Sequence, residues 1–236
     1  MSEEGVFELR QYTLHRGKRD TLISLFEEAF VEPQNAVGAR VVATFRDLDD
    51  PDRFVWVRSF RDMSARQEAL GAFYGGAAWQ VNRAAANATI LDSDNVLLLR
   101  PAGPGQGFAM QSARFAGVDG IIGATIYYLG GADATQFGLF FERTLLPQLA
   151  AAGAQPLAQL VTEEAPNNFP RLPVREHDRT FVCFSRWIHP SAESEFVARF
   201  SALSGWRDSA PESILPAFMR KPERLRLMPT GRSALK

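Results

Sequence analysis

Two stretches of sequence decide the fold: FVWVRSF at residues 54–60 and FVCFSRW at residues 181–187. Both are rich in β-branched and aromatic residues, as strands are, and a helical stretch follows each of them. That stretch ends at a tryptophan, Trp79 or Trp206, which lies 25 residues after the first phenylalanine in both cases. Two matching blocks of this length predict an internal repeat.

Shorter matches extend the repeat towards the start of each copy. Phe26 and Gly38 match Phe141 and Gly153 at an offset of 115 residues, whereas the offset at the two quoted stretches is 127. The second copy therefore carries an insertion of 12 residues. We place it in the proline-rich segment 165–173, where a loop is expected.

Each copy has the pattern strand, helix, strand, strand, helix, strand. In the first copy, residues 7–14 alternate as a strand does, residues 18–36 carry the apolar stripe of an amphipathic helix, and Gly38 ends that helix. Ser64 is the predicted N-cap of the second helix, which we expect to break at Gly75 and Gly76.

This βαββαβ order is typical of a ferredoxin-like unit, an antiparallel sheet with both helices on one face. We therefore predict an α+β fold of two tandem ferredoxin-like repeats, over residues 1–104 and 105–236, with the insertion near 163–177. The open face of each sheet needs a cover, so the two units are expected to enclose a barrel-like core, within one chain or across a dimer. The segment 108–118 has no counterpart in the first copy.

Composition excludes several classes of function. The net charge of −1 and the pI of about 6.3 disfavour a nucleic-acid-binding protein, and no apolar stretch approaches the ~18 residues of a membrane span. The acidic residues 1–4 precede no apolar signal segment, so we expect a cytoplasmic protein. The one cysteine, Cys183, lies in an apolar run and is predicted to be a small buried hydrophobe.

The first copy resembles the NIPSNAP family. The resemblance rests on FELRQYTL at residues 7–14, on the Gly17-Lys18 pair, and on Val57 to Phe60 followed by a helix that reaches Trp79. It implies the dimeric α+β barrel superfold. We expect a homodimer, and the alternative is that the two fused copies close the barrel within one chain. Relatives in that superfold include cofactor-free monooxygenases, haem-handling enzymes and proteins without a known activity. The family has no agreed reaction, so the resemblance implies no catalytic residues.

The three histidines do not predict a metal site. His15, His177 and His189 lack the short spacing of zinc ligands, and the last two are predicted to be surface loop residues. The glycine-rich segment 103–107 has neither the lysine of a phosphate-binding loop nor the spacing of a dinucleotide fingerprint, and we interpret it as a linker. No metal and no cofactor are predicted.

Strand alternation predicts one constellation of polar and aromatic side chains. Glu8, Arg10 and Tyr12 share one face of the first strand, and Trp56 shares a face with Arg58 on the third. We expect Val55 and Val57 to pack against the helices, which leaves the charged and aromatic face towards the barrel. An aromatic interior with one or two cations suits an anionic or planar organic ligand. The candidate ligand-binding residues are Arg10, Tyr12, His15, Trp56, Arg58 and Tyr128, the last as the counterpart of Tyr12.

The alternative is a solid core without a site. In that case Glu8 pairs with Arg10 or Arg58, because an uncompensated charge is costly to bury.

Three functions fit these observations. The first is a NIPSNAP-like protein of uncharacterised function that binds a small hydrophobic or anionic molecule or a protein partner. The second is a cofactor-independent oxygenase in which His15 or Tyr12 assists proton transfer. The third is haem binding, for which His15 is the candidate axial ligand. The sequence alone does not decide whether the protein is an enzyme.

Overall fold

The computed structural model describes residues 5–109, 120–202 and 209–235. Trp206, one of the two tryptophans that define the repeat, lies outside the described residues, as do residues 110–118 of the unmatched segment.

The first of two structural units holds residues up to 100 together with residues 163–176 and 227–235. Its sheet has the strand order β4–β1–β3–β2, and the paired strands are antiparallel. The elements, in chain order, are β1 (Val6–Leu14), α1 (Arg19–Ala29), α2 (Val31–Ala36), β2 (Arg40–Asp47), β3 (Arg53–Phe60), α3 (Met63–Gly75), α4 (Ala77–Asn87) and β4 (Ile90–Pro101).

The second unit holds residues 101–162 and 177–226. Its strand order is β8–β5–β7–β6, with β7 antiparallel to both neighbours. The elements are β5 (Ile121–Tyr128), α5 (Ala134–Phe140), a π-helical turn (Phe141–Leu145), α6 (Leu146–Ala151), β6 (Gln155–Thr162), β7 (Thr180–Trp187), α7 (Pro190–Ala202), a 3-10 helix (Glu212–Phe218) and β8 (Glu223–Pro229), whose last three residues are assigned to the first unit.

Both units therefore have the strand order of a ferredoxin-like fold, and the predicted α+β class is confirmed. The predicted repeat boundaries, 1–104 and 105–236, stay a prediction. Residues 163–176, which we call the strap, are grouped with the first unit. There the backbone N–H of Arg175 donates to the carbonyl of Val96 at 2.9 Å, and the Phe169 ring stacks on Tyr74.

Local signals explain several helix ends in the first unit. Gly38 has φ +88°, a conformation that favours glycine, and it follows the last turn of α2. Gly76 is extended and separates α3 from α4, so the predicted break is confirmed. The predicted N-cap, Ser64, is wrong. Asp62 caps α3 instead, because its side chain lies one residue before the helix and accepts from the N–H of Ala65 at 2.8 Å.

The helices cover one face of each sheet with apolar side chains. In the first unit, Phe26 of α1 and Phe73 of α3 belong to the same buried cluster as Trp56 of β3. In the second unit, Phe137 of α5 and Phe196 of α7 pack with residues of β5 and β7. Among the described residues, no helix has the length and apolar character needed to cross a bilayer.

Candidate ligand-binding cavity

A single buried carboxylate binds three arginines in the first unit. Glu8 Oε2 accepts from Arg10 Nη1 at 2.7 Å and from Arg58 Nε at 2.8 Å, while Oε1 accepts from Arg66 Nε at 2.7 Å. The four side chains are at most 1% exposed. Glu8 and Arg58 are direct partners in the β1–β3 register, and Arg66 reaches them from α3. We call these four residues the Glu8 cluster.

The Glu8 cluster carries a surplus of two positive charges. Burial by itself would raise the pKa of Glu8, but the charges of Arg58, Arg10 and Arg66 outweigh burial and hold this pKa well below its usual range. The carboxylate is therefore ionised throughout the physiological pH range.

Neutral oxygens satisfy further donors of the cluster. Arg10 Nε donates to the Tyr12 hydroxyl at 3.2 Å, and Arg58 Nη1 donates to Gln34 Oε1 at 3.0 Å. Arg66 Nη1 donates to two side-chain oxygens of the strap, Asn167 Oδ1 at 3.0 Å and Asn168 Oδ1 at 2.7 Å. The cluster is thus a structural network that ties the strap to α3.

The cluster faces the helices, which corrects the orientation expected from sequence. Trp56 lies on the same face, and its ring centroid is 4.7 Å from that of Phe26 on α1. Val55 and Val57 alternate with Trp56 and therefore point to the other side of the sheet. The set of residues that share a face was predicted correctly, but the side was wrong, because aromatic rings from the helices provide better packing for Trp56.

Little space remains between sheet and helices in the first unit. The cavity there measures about 40 Å³ and is lined mainly by aromatic and aliphatic side chains, together with Gln34. Ligand pockets for organic molecules usually measure ~300–1,000 Å³. Four predicted site residues, Arg10, Tyr12, Trp56 and Arg58, therefore meet in a nearly solid core.

The other two predicted residues lie elsewhere. His15 is exposed in the turn after β1. Tyr128 is in the second unit, where its hydroxyl donates to Glu223 Oε2 at 2.6 Å and Arg220 stacks on its ring at 3.4 Å. Its assignment as the counterpart of Tyr12 is wrong. Tyr12 pairs with Phe54, and Tyr127 pairs with the matching Phe181, so the register makes Tyr127 the counterpart.

The same register shows which residues of the second unit correspond to the strand residues of the Glu8 cluster and to Trp56. Gly123 pairs with Ser185, where the first unit has the pair of Glu8 and Arg58. Thr125 pairs with Cys183, where the first unit has Arg10 and Trp56. Four large side chains are thus replaced by four small ones in the layer between sheet and helices.

A cavity of about 360 Å³ opens at these small residues. It lies between the helix-facing side of the sheet and α7, and its volume is within the usual range for ligand pockets. All of the described residues that line it belong to the second unit: Gly123, Thr125, Tyr127, Leu149, Cys183, Ser185, Trp187, Glu193, Ser194, Phe196, Val197, Phe200, Arg224, Leu225 and Arg226.

Gly123 permits the shape of this cavity. A Cβ atom at this position would lie 2.4 Å from Cζ3 and 2.7 Å from Cη2 of Trp187. The absence of a side chain lets the indole lie directly on the strand, where Trp187 forms one wall.

The interior is uncharged and the edge is charged. Burial raises the pKa of the Cys183 thiol to about 12, against a smaller opposite effect of its contact with the Ser185 hydroxyl. Burial likewise raises the pKa of Tyr127. Arg226 forms two hydrogen bonds with the Glu193 carboxylate, at 2.7 and 2.8 Å. The described lining thus offers apolar surface, neutral hydroxyl and thiol groups, and the charged side chains of Glu193, Arg224 and Arg226.

Sequence reasoning missed this cavity. It predicted correctly that Cys183 is buried, but it did not consider what surrounds the thiol. The available signal was the repeat itself, because the counterparts of Arg58 and Trp56 are Ser185 and Cys183. Within the described ranges, no group of three or more His, Cys, Asp or Glu residues is placed to hold a metal ion.

The fold and this cavity define a class of protein: two ferredoxin-like units in one chain, the second with a ligand-sized pocket between sheet and helix. Residues 7–103 match the model of the NIPSNAP family, which confirms the resemblance seen in the sequence. No curated protein matches the chain.

Two solved structures with this fold match almost the whole chain. A provisionally assigned monooxygenase from Fusobacterium nucleatum has a TM-score of 0.61 at 11% identity, with 97% of this chain and 94% of that chain covered. A second one, from Lactobacillus acidophilus, has a TM-score of 0.59 at 12% identity, with 96% and 94% covered. At this identity the likeness shows the fold. A NIPSNAP family protein of unknown function from Agrobacterium tumefaciens is 18% identical, with a TM-score of 0.39 over 43% of this chain and 91% of that one.

Proposed function

We propose that this NIPSNAP-domain protein binds a small, mainly apolar organic molecule in the cavity of its second unit. The observation that carries the proposal is the replacement of Glu8, Arg10, Trp56 and Arg58 by Gly123, Thr125, Cys183 and Ser185, which leaves about 360 Å³ between the sheet and α7. A layer filled by charged side chains in one unit is open in the other, so the space is a specific feature of the second unit.

Native mass spectrometry of the purified protein tests this proposal. We expect a small organic molecule to remain bound to the wild type and to the Cys183→Ser variant, which keeps the volume of the cavity. Cys183→Trp places the bulky residue of the first unit in the cavity, and we expect this variant to be folded and empty. A mass that is retained equally by Cys183→Trp would contradict the proposed site.

A second candidate function is cofactor-independent oxygenation. The observation that favours it is the match to two chains provisionally assigned as monooxygenases, each along 94% of its length. Among the described lining residues, however, there is no histidine, and Cys183 and Tyr127 are held protonated by burial. His15 is exposed, and Tyr12 accepts a hydrogen bond from Arg10 in the first unit. The cavity is therefore better suited to binding than to proton abstraction.

We further propose that the chain acts as a homodimer in the cytoplasm and that its two units arose as an internal repeat. The equal strand orders of the two units support the repeat. The superfold implied by the NIPSNAP resemblance supports the dimer, and light scattering that shows a monomer at micromolar concentration would contradict it.

A further inference from the structure

Two hydroxyl groups of β5 line the cavity without a partner in the described part of the chain. Thr125 and Tyr127 are two residues apart on this strand, so their side chains share the side of the sheet on which the cavity opens. Neither hydroxyl forms a hydrogen bond with another described residue. Polar groups inside a protein nearly always have a partner, so these two point to one that the occupant supplies.

The side chain of Thr125 is open to such an occupant. Its strand has a neighbour on each side in the sheet, and every other residue of β5 is buried. Thr125 is partly exposed. Because it lines the cavity and the sheet encloses it on both sides, its accessible surface lies in the cavity.

The first unit shows how the same two positions are satisfied in a nearly solid core. Arg10 and Tyr12 are the counterparts of Thr125 and Tyr127. Arg10 Nε donates to the Tyr12 hydroxyl at 3.2 Å. Threonine in place of arginine removes both this donor and the side chain that filled the space, so the tyrosine hydroxyl of the second unit loses its partner where the cavity opens.

The neighbouring strand extends this row with neutral groups. The Ser185 hydroxyl has the Cys183 thiol as its partner at 3.7 Å, and a thiol is a weak one. Burial raises the pKa of both Cys183 and Tyr127, so both groups keep their protons at neutral pH. The lining residues of β5 and β7 therefore offer hydrogen-bond donors and no charge.

Aromatic rings form the adjoining wall of the cavity. The ring centroids of Trp187 and Phe196 are 5.0 Å apart, and Phe200 stacks on Phe196 at 5.5 Å with an angle of 16° between the ring planes. All three residues line the cavity. A continuous aromatic surface of this kind suits a flat aromatic skeleton.

From these observations we infer that the ligand is an uncharged aromatic compound with an acceptor oxygen, such as a ketone, that binds the Thr125 hydroxyl. The Thr125 O–H donates to this oxygen, and Tyr127 provides a second donor on the same side. An anionic oxygen is disfavoured here, because neutral donors do not offset the cost of burying a charge. This inference rests on the proposed function, which requires only that an apolar molecule enters.

Three competitors with the same skeleton separate the inference from the proposed function. N-phenyl-naphthylamine, a neutral dye that fluoresces in apolar surroundings, reports whether the cavity is occupied. Acetylnaphthalene carries a ketone, ethylnaphthalene lacks the oxygen, and naphthoate carries a charge at the same ring position. We expect both neutral compounds to displace the dye from the wild type, and naphthoate to bind roughly tenfold more weakly than the ketone.

Variants assign the binding of the oxygen to one hydroxyl. Thr125→Val removes the hydroxyl but keeps a β-branched side chain, which suits a strand. It should weaken the ketone roughly fivefold, as for the loss of one neutral hydrogen bond, and leave the hydrocarbon unchanged. Thr125→Ser keeps a hydroxyl and should weaken the ketone less than Thr125→Val does. Thr135→Val, the same change at an exposed residue of α5, is the control and should bind all three as the wild type does.

The outcomes distinguish the two claims, and unchanged binding of the hydrocarbon shows that a variant is folded. The inference is wrong, while the proposed function stands, if the ketone does not displace the dye, if Thr125→Val weakens the ketone no more than the hydrocarbon, or if naphthoate binds as tightly as the ketone. If the wild type binds neither the dye nor the hydrocarbon, or if Cys183→Trp binds the dye as well as the wild type does, both claims are wrong.

Discussion

Glu8 and Arg58 lie directly opposite each other on β1 and β3, and their fully buried side chains form an ion pair at 2.7 Å. Arg10 and Arg66 bind the same carboxylate. One anion therefore compensates three cations, and among the described residues no second carboxylate is part of the network. Removing the shared anion should therefore destabilise the fold more than removing one arginine.

We predict that Glu8→Gln lowers the free energy of unfolding by ~3–5 kcal/mol, the range for breaking a buried pair. Arg58→Met should cost less, because Glu8 keeps two arginines and the surplus of positive charge falls. Urea denaturation followed by circular dichroism measures both. An Arg58→Met variant that is as unstable as Glu8→Gln would show that the pairs act independently.

The stability of the folded protein should fall at acidic pH, because Glu8 becomes protonated. The pKa of Glu8 in the folded protein is well below its value of about 4.3 in an unfolded chain. Its contribution to the free energy of unfolding is therefore complete above about pH 4.3 and is lost as the pH falls towards the pKa of the folded state. Below about pH 4.3 the free energy of unfolding of the wild type should fall by up to ~1.4 kcal/mol per pH unit more than that of Glu8→Gln. Parallel curves for the two proteins would contradict this.

The sequence predicted the element order and the residues that share a face, but not the side of the sheet. All residues of β3 except Arg53 are buried, so no solvent-exposed set marks the outer face. Alternation then shows that Trp56 and Arg58 point together, whereas Val55 and Val57 fit either side equally well. Only the helix residues that contact Trp56 decide the question.

The cavity escaped prediction for a different reason. Sequence patterns report large side chains that need burial, and a cavity is a place where large side chains are missing. Gly123 and Ser185 become informative only when the register pairs them and the repeat aligns them with Glu8 and Arg58.

The strap should stabilise the first unit through Arg66. Asn167 and Asn168 accept from Arg66 Nη1, and their amides donate to the carbonyls of Leu172 and Met63. Changing both to alanine therefore leaves a buried cationic donor unsatisfied and removes two further hydrogen bonds. We expect a loss of ~1–3 kcal/mol in unfolding free energy. Asn82→Ala is the control, since the Asn82 amide donates only to a carbonyl of its own helix and should change stability by less than ~0.5 kcal/mol. Equal losses in both proteins would refute a role for the strap.

Cys183 should be unreactive in the folded protein. With a pKa of about 12, its thiolate fraction at pH 8 is roughly three orders of magnitude below that of a free thiol. The chain has one cysteine, so the mass gained on treatment with iodoacetamide reports this site alone. The urea-unfolded protein is the control and should react at the ordinary rate. Comparable rates in folded and unfolded protein would mean that the thiol is neither buried nor protonated.

The most direct test of the account is a fluorescence titration of N-phenyl-naphthylamine into the wild type and Cys183→Trp. The first unit has only about 40 Å³ at the equivalent place, so one saturable site per chain is predicted. Filling the cavity of the second unit should abolish that site without unfolding the protein. Two sites per chain, or one site that survives in Cys183→Trp, would contradict the claim that the second unit holds the binding cavity.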